Sequence, residues 1–395
     1  MVNEYIEKTE ENILHTYNRY QVVLDRGEGV RLYDVNGKEY LDFAAGIGVQ
    51  SLGYGNPEYV EALQAQAARL THISNLYYSV PMMEAAEKVR KASGMEKVFF
   101  TNSGTEAIEG ALKVARKYSY TKYGPDRYEI IAMNHSFHGR SMGALAVTGK
   151  EQYRTPFEPL IGGVRFAEYN DLESVKAQVT DKTCAVILET VQGEGGIYTA
   201  TEEFLRGVRA LCDQHDLVLI LDEIQCGMGR TGHMFAWQEY GVEPDVMTVA
   251  KALGCGVPVG AFVVGKKAAE ASLVPGDHGT TYGGNPFVCA AVSKVFDLYE
   301  KEHILEHVQK VGGYLTQKLD ALVDKYEFFT ERRGKGMIQG LEVSGRPVGE
   351  IVGKALDNDL IIITAGTNVL RFLPPLVITE ADVDEMVEKL ERSLA

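Results

Sequence analysis

The amino-acid sequence predicts an α/β protein: a large domain around a mostly parallel sheet, followed by a smaller α+β domain. Two patterns carry this expectation. Between about Glu61 and Val264, short apolar runs alternate with amphipathic stretches, as in successive strand–helix–strand crossovers. After the glycine-rich junction Gly283–Gly284–Asn285–Pro286, the pattern changes to long amphipathic helices mixed with isolated strands.

The opening segment holds two strand candidates, Val30–Tyr33 and Glu39–Asp42, around the turn residues Asn36–Gly37. Such a hairpin is too small to stand alone and is expected to pack on the C-terminal lobe. Buried strands are expected at Lys97–Thr101, Glu129–Met133, Ala185–Leu188, Leu217–Leu221, Val246–Ala250 and Ala261–Val264. Each is short, rich in β-branched or aromatic residues, and mostly bounded by turn residues. Several end at a polar residue, and ligands of open α/β sheets lie beyond the carboxyl ends of the strands. The second domain is expected to open with helices Pro286–Glu300 and Ile304–Tyr326 and to continue with strands Met337–Val343, Leu360–Thr364 and Val369–Leu373. Thr379 and Asp382 form a capping box before a last helix carrying Val383, Met386 and Leu390. The expected division is residues 1–55 as an N-terminal segment packing on the small domain, 56–285 as the large domain, and 286–395 as the small C-terminal domain.

A chain of 395 residues with 45% hydrophobic content can bury a large core. The formal net charge of −15 disfavours an extended nucleic-acid surface, though a local pocket for a small anion remains compatible with it. Cys184, Cys212, Cys226, Cys255 and Cys289 contain no close pair, so neither a disulfide framework nor a zinc site is expected, and a reducing cytoplasm is the simplest compartment. Met1 to Glu11 is acidic with no apolar stretch, and the longest uncharged run, Ala252 to Gly265, is too short and too interrupted to span a bilayer. Small-molecule partners are expected, not nucleic acid or membrane.

Three segments carry chemistry. Val98–Phe–Phe–Thr–Asn–Ser–Gly–Thr105 reads as a strand entering a helix with apolar face Ala107, Ile108, Ala111, Leu112 and Ala115. Ser103, Gly104 and Thr105 at its turn offer N–H groups and two hydroxyls beside a glycine, the donor set of a phosphate site. Helix caps of this composition also occur without a ligand. Leu217–Val–Leu–Ile–Leu–Asp222 ends a buried strand in a carboxylate, which is costly unless paired. Asp222 either caps the next turn or holds the proton on a pyridine nitrogen, keeping the ring able to accept electrons. Asp245–Val–Met–Thr–Val–Ala–Lys251 ends another apolar strand in a lysine flanked by small residues. A snorkelling surface lysine is the alternative to an amine that bonds a cofactor aldehyde and then moves a proton. A phosphate turn, a strand-end acid and a strand-end lysine, in that order, are the three anchors of pyridoxal 5'-phosphate, and together they remove the ambiguity that each has alone.

The chain resembles, over essentially its whole length, the class-III pyridoxal-phosphate-dependent aminotransferases of the ornithine/4-aminobutyrate type, and within them the acetylornithine aminotransferase group. The matching segments are Asn102–Ser–Gly–Thr–Glu106, Phe137–His–Gly–Arg140, Glu189 with Gln192–Gly–Glu–Gly–Gly196, Leu221–Asp–Glu–Ile–Gln–Cys–Gly–Met–Gly–Arg–Thr–Gly232, Ala250–Lys–Ala–Leu253, His278–Gly–Thr–Thr–Tyr–Gly–Gly–Asn–Pro286 and Arg371–Phe–Leu–Pro–Pro375. The resemblance implies the fold-type I architecture and transfer of the terminal amine of N-acetylornithine to 2-oxoglutarate in arginine biosynthesis, with ornithine, succinylornithine or 4-aminobutyrate as alternative donors. It implies that Gly104 and Thr105 bind the phosphate, Phe137 stacks on the ring, Asp222 pairs with its nitrogen, Gln225 contacts its hydroxyl, and Lys251 bonds the aldehyde. It also implies a homodimer in which Thr281 reaches the neighbouring subunit's phosphate and Thr280 lies near that subunit's substrate.

Arg140 and Arg371 decide the substrates, because a guanidinium grips a carboxylate bidentately and two such forks suit glutamate. In the family reading, glutamate's side-chain carboxylate meets Arg140 and its α-carboxylate meets Arg371. A substrate entering by its terminal amine gives its α-carboxylate to Arg140 and leaves Arg371 unpaired, which is expensive if buried. Glu194 resembles the family's switch residue, closing on Arg371 in that half-reaction and swinging away for glutamate. The chain departs from the family at Thr190, where proline is usual, and at Cys255 and Gly256, in a loop that is usually all glycine.

Two other classes compete. Gly227–Met–Gly–Arg–Thr–Gly232 spells the dinucleotide fingerprint of a nicotinamide-dependent oxidoreductase. Its strand ends five residues too early, only a short helix candidate, Met234–Trp237, follows, and no acid closes a second strand about twenty residues on. A catalytically silent homologue is opposed by the intact Lys251 and Asp222. His135 and His138 have a metal-like spacing without a third ligand cluster, so a structural or cofactor-contact role is expected and no metal.

Overall fold

The computed structural model describes residues 2–394. After an N-terminal helix, Val2–Asn12, strands β1 (Leu24–Glu28), β2 (Arg31–Asp34) and β3 (Glu39–Asp42) form an antiparallel meander. The large sheet contains β4 (Lys97–Thr101), β5 (Glu129–Met133), β6 (Val164–Ala167) and β7 (Thr183–Glu189). A two-stranded ribbon, β8 (Val191–Gln192) and β9 (Tyr198–Thr199), interrupts it before β10 (Val218–Asp222), β11 (Val246–Val249) and β12 (Gly260–Val264). The strand order is β4-β12-β11-β10-β7-β5-β6. Only β12 runs against its neighbours, so the sheet is mostly parallel.

Five of these strands, β5, β7, β10, β11 and β12, are buried along their full length, which is why they read as continuous apolar runs. Their side chains alternate between two cores. Val186, Leu188, Leu219, Leu221, Met247 and Val249 enter one, while Ala185, Ile187, Val218, Ile220 and Val246 join Ile108, Ala111, Leu112 and Ala115 of the Gly104–Tyr123 helix in the other. That helix lies close to the sheet at Gly110, where a Cβ would stand 2.2 Å from a ring carbon of Phe262. Strand β6 is absent from the sequence reading. It is an edge strand, VRFA, only half-buried for three of its four residues, and Arg165 breaks its apolar run.

The C-terminal lobe holds β13 (Phe329–Lys335), β14 (Ile338–Val343), β15 (Leu360–Ile361), β16 (Ile363–Ala365) and β17 (Val369–Phe372). Four of them make an antiparallel sheet in the order β13-β14-β17-β16, covered by helices Ile304–Lys325 and Val348–Asp357, on which Glu380–Leu394 packs in turn. β15 instead pairs parallel with β3, Leu360 opposite Leu41, so the N-terminal meander is hydrogen-bonded into this lobe. Arg31 reinforces the junction through Asp382 at 3.0 Å and Glu385 at 2.7 Å on the last helix. The Pro286–Lys301 helix, expected to open the second domain, packs on helices Pro57–Ala67 and Val80–Ser93 and meets Ile304–Lys325, bridging the two lobes. Among the described residues no helix is long and apolar enough to cross a membrane, and the five cysteines are buried and unpaired.

The glycine-rich segment after β10 is a turn and not the start of a helix. Arg230 within it is fully buried and donates to the carbonyls of Met337 at 3.2 Å, Gly48 at 3.4 Å and Pro374. The only helix just downstream, Trp237–Tyr240, has four residues, so the dinucleotide fingerprint lacks the helix N-terminus it requires. Arg230 joins three chain segments instead.

Candidate active site

The carboxyl ends of β4, β7, β10 and β11 lie at one edge of the large sheet, and the register sets their polar ends side by side. Asp222 stands between Glu189 of β7 and Thr248 of β11. Its carboxylate is buried and held by three partners, which leave a lone pair of Oδ2 open: Oδ1 accepts from the Ile224 N–H at 3.0 Å and the Thr248 hydroxyl at 3.1 Å, and Oδ2 lies 2.7 Å from His138 Nδ1. The turn-capping role expected of a strand-end acid is therefore real, through Ile224, and it coexists with a buried negative charge facing a cavity of about 490 Å³.

Lys251 follows β11 and lines the same cavity. Its backbone is left-handed, φ 47°, a conformation that costs a non-glycine residue of order 1 kcal/mol and clusters at functional sites. Burial, opposed by the charges of Glu194, Asp222 and Glu189 and aided by Arg371, lowers its amine to about 8. A lysine so placed is uncharged in roughly a tenth of molecules at neutral pH, against about one in three thousand for an ordinary one. Since only the neutral amine attacks an aldehyde, the rate at which cofactor-free protein captures pyridoxal phosphate is expected to rise with pH and level off above about 8. Stopped-flow absorbance checks this; a rate still climbing tenfold per pH unit at pH 9 contradicts it.

Ser103 caps the Gly104–Tyr123 helix, its hydroxyl accepting from the Glu106 N–H at 3.3 Å, and leaves the first-turn N–H groups without helical partners. Gly104 is the residue that allows close approach: a Cβ there would meet Ile224 at 2.9 Å and Ala250 at 3.4 Å. The Thr105 hydroxyl lies 2.8 Å from that of Ser141. Ser103, Gly104, Thr105, Phe137, Arg140, Glu194 and Gln225 all line the cavity with Asp222 and Lys251. A turn of N–H and hydroxyl donors at a helix start, a carboxylate held by three donors and an amine lowered to about 8 form the set that pyridoxal phosphate requires, so the residues present fit that group.

The two arginines are held differently. Arg371, from β17, is 3% exposed and donates to Glu194 Oε1 at 2.7 Å, the Gly193 carbonyl at 3.1 Å and Gln225 Oε1 at 3.2 Å. Burial opposes the charge on Glu194, but Arg371 and Lys251 hold its carboxyl below the ordinary range. Gln225 is thus engaged with Arg371 and, at 3.4 Å, with Glu194. Arg140 is exposed and meets no carboxylate among the described residues; its guanidinium lies over the rings of Tyr153 and Phe137.

Thr280 and Thr281 do not line their own chain's cavity. The Thr280 hydroxyl accepts from Asn102 at 3.2 Å and from the Gly283 N–H at 3.1 Å, and Thr281 is exposed. Glu189, quoted in the sequence motifs without an assigned role, and His138, expected to be structural or to contact the cofactor, both line the cavity beside Asp222. His138 is buried against Asp222, whereas His135 is exposed, so the two histidines do not act as a pair. Glu189 is buried with Oε2 unpartnered; burial, with Asp222 and Glu194 nearby, pushes its carboxyl well above the usual range. His138, Glu189 and Asp222 offer ligand atoms within 4.8 Å of one another, but His138 spends its Nδ1 on the Asp222 hydrogen bond. The departure at Thr190 also has a structural reason: its hydroxyl donates to buried Glu223 at 3.0 Å. Cys255 fills a buried gap, accepting from the Leu52 N–H at 3.4 Å, away from the cavity lining.

Known proteins resemble the chain over nearly its whole length. The class-III aminotransferase family matches residues 13–394. An acetylornithine aminotransferase of Caldanaerobacter subterraneus subsp. tengcongensis is 48% identical over 383 residues, 97% of each chain. The crystal structure of ornithine aminotransferase from Toxoplasma gondii ME49 superposes with a TM-score of 0.95 at 30% identity, covering 100% of this chain and 95% of that one. That of N-acetylornithine aminotransferase from Stenotrophomonas maltophilia K279a gives 0.84 at 38% identity, with 96% of each chain covered.

Proposed function

The chain belongs to the class-III aminotransferase family and is a pyridoxal-phosphate-dependent transaminase, and from that premise we propose that it moves the terminal amino group of N2-acetyl-L-ornithine to 2-oxoglutarate, giving N-acetylglutamate 5-semialdehyde and L-glutamate, a step of arginine biosynthesis. One observation carries the reading: Arg371 is neutralised by Glu194 at 2.7 Å while Arg140 is open. A donor that offers one carboxylate and a distant amine needs one free receptor and one silenced receptor. Glutamate needs both, and Glu194 must then leave Arg371.

When bound, pyridoxal phosphate supplies an electron-accepting ring. The chain's own residues do the rest. Ser103, Gly104 and Thr105 would hold the phosphate and Phe137 the ring face; Asp222, fixed by His138, Thr248 and Ile224, would face the ring nitrogen with its charge. Lys251 Nζ would take the proton from the substrate carbon that bears the amine and deliver it to the carbon of the cofactor's aldehyde position, across the shared nitrogen. Arg140 would bind the α-carboxylate of acetylornithine and the side-chain carboxylate of glutamate. In this proposal the lobes keep the division 1–55, 56–285 and 286–395, the protein works in the cytoplasm, and it forms a homodimer. Thr280 and Thr281 lie outside their own cavity, beside the exposed Tyr282, which supports their serving a neighbouring subunit.

Single-turnover bleaching of the cofactor absorbance separates the donors: acetylornithine is expected to react faster than ornithine or 4-aminobutyrate, and a reversed order assigns the enzyme to that other donor. In the same assay Arg371→Ala is expected to slow the glutamate half-reaction at least about a hundredfold, the cost of an unmatched carboxylate in a buried site, while the acetylornithine half-reaction changes less than about fivefold. Equal loss in both halves contradicts the switch.

A further inference from the structure

We propose that the turn from Lys150 to Tyr153 sets the spacing between the two carboxylate receptors, with Tyr153 as the positioning residue of Arg140. The inference rests on the transaminase reading, in which Arg140 receives a carboxylate.

Arg140 has no hydrogen bond or ion pair to any other described residue, yet its guanidinium is not loose. Its central carbon lies 3.9 Å from the centroid of the Tyr153 ring and 5.4 Å from that of Phe137. An aromatic face fixes the plane of a guanidinium without using any of its five N–H donors. The fork therefore stays available. A carboxylate partner would compete with the substrate, as Glu194 does at Arg371.

The other end of the turn reaches the second receptor. Lys150 Nζ donates to the main-chain carbonyl of Glu194 at 2.9 Å, fixing the loop whose side chain pairs with Arg371. Immediately after Tyr153, Arg154 anchors the turn to the large domain, donating to the Thr148 carbonyl at 2.6 Å and lying over the Phe166 ring of β6 at 4.1 Å. Neither Lys150 nor Tyr153 lines the cavity. They act through Arg140 and the Glu194 loop, so the ligand class they select is a dicarboxylate of fixed length.

Glutarate, with two carboxylates and neither amine nor keto group, reports on this spacing without turnover. By calorimetry on the cofactor-loaded enzyme, Tyr153→Leu is expected to weaken glutarate about fivefold, and Tyr153→Phe to restore it. In steady state Tyr153→Leu is expected to raise KM for 2-oxoglutarate and acetylornithine by a similar factor, with kcat within about twofold. Lys150→Met is expected to flatten the preference for glutarate over succinate and adipate. Both side chains are half-buried at the surface, so the variants are expected to fold, which circular dichroism checks. If Arg140→Ala abolishes glutarate binding while Tyr153→Leu and Lys150→Met bind it with wild-type strength and length preference, the spacing role is overturned and the receptor stands. If Arg140→Ala itself binds glutarate normally, the receptor assignment falls, and this inference with it.

Discussion

Lys251→Ala is expected to lower turnover by at least about 10⁴-fold. The cavity holds no second amine: Lys251 is the only lysine among its lining residues. His138 also lines the cavity, but an imidazole forms no imine with an aldehyde, so it cannot replace the covalent anchor. Ser103, Gly104, Thr105, Phe137 and Asp222, which line the same cavity, are untouched by the substitution, so the variant is expected to bind the cofactor reversibly, seen by equilibrium dialysis. Removing an amine whose charge burial already disfavours is expected to leave the thermal midpoint unchanged or slightly raised. Borohydride treatment of the loaded wild-type protein should leave the cofactor mass on the peptide bearing Lys251. Activity within tenfold of wild type, or the cofactor on another peptide, would remove the basis for every role assigned around this residue.

Asp222→Asn is expected to cost roughly a thousandfold in turnover while changing almost no volume. The amide keeps an oxygen for the Ile224 N–H and the Thr248 hydroxyl, but it brings no negative charge to hold a proton on the ring nitrogen. With that oxygen spent there, it turns an N–H₂ toward His138 Nδ1 in place of a carboxylate oxygen at 2.7 Å. The spectroscopic signature is specific: the absorbance of the bound cofactor should titrate at a pH at which the wild-type spectrum is constant. A variant with wild-type rate and an unchanged spectral titration would show that Asp222 only caps its turn.

Much of the site was legible because its residues sit at strand ends. A buried run such as Val218–Asp222 is visible as a run, and the polar residue that stops it marks the sheet edge where ligands bind. The same logic found Lys251 and the Ser103–Thr105 turn. It gave no role to Glu189 and did not say which residue His138 meets. Glu189 also ends a buried strand, but its meaning comes from lying beside Asp222 in the register, and the nearness of His138 to Asp222 is a contact between residues 84 positions apart. The edge strand β6 was missed because half-burial leaves too little apolar signal.

Local patterning was enough to read the mostly parallel large sheet, the lysine and the acid at strand ends and the Ser103–Thr105 turn at a helix start, because it records burial and where strands stop. The sequence also carried the family resemblance. Tertiary structure alone decided that Arg371 is silenced by Glu194 while Arg140 is open and stacked on Tyr153, and that Arg230 ties three segments together. Charge, hydrogen bonding and stacking act over a few ångströms between residues far apart in the chain, and no periodicity along it encodes which of them meet.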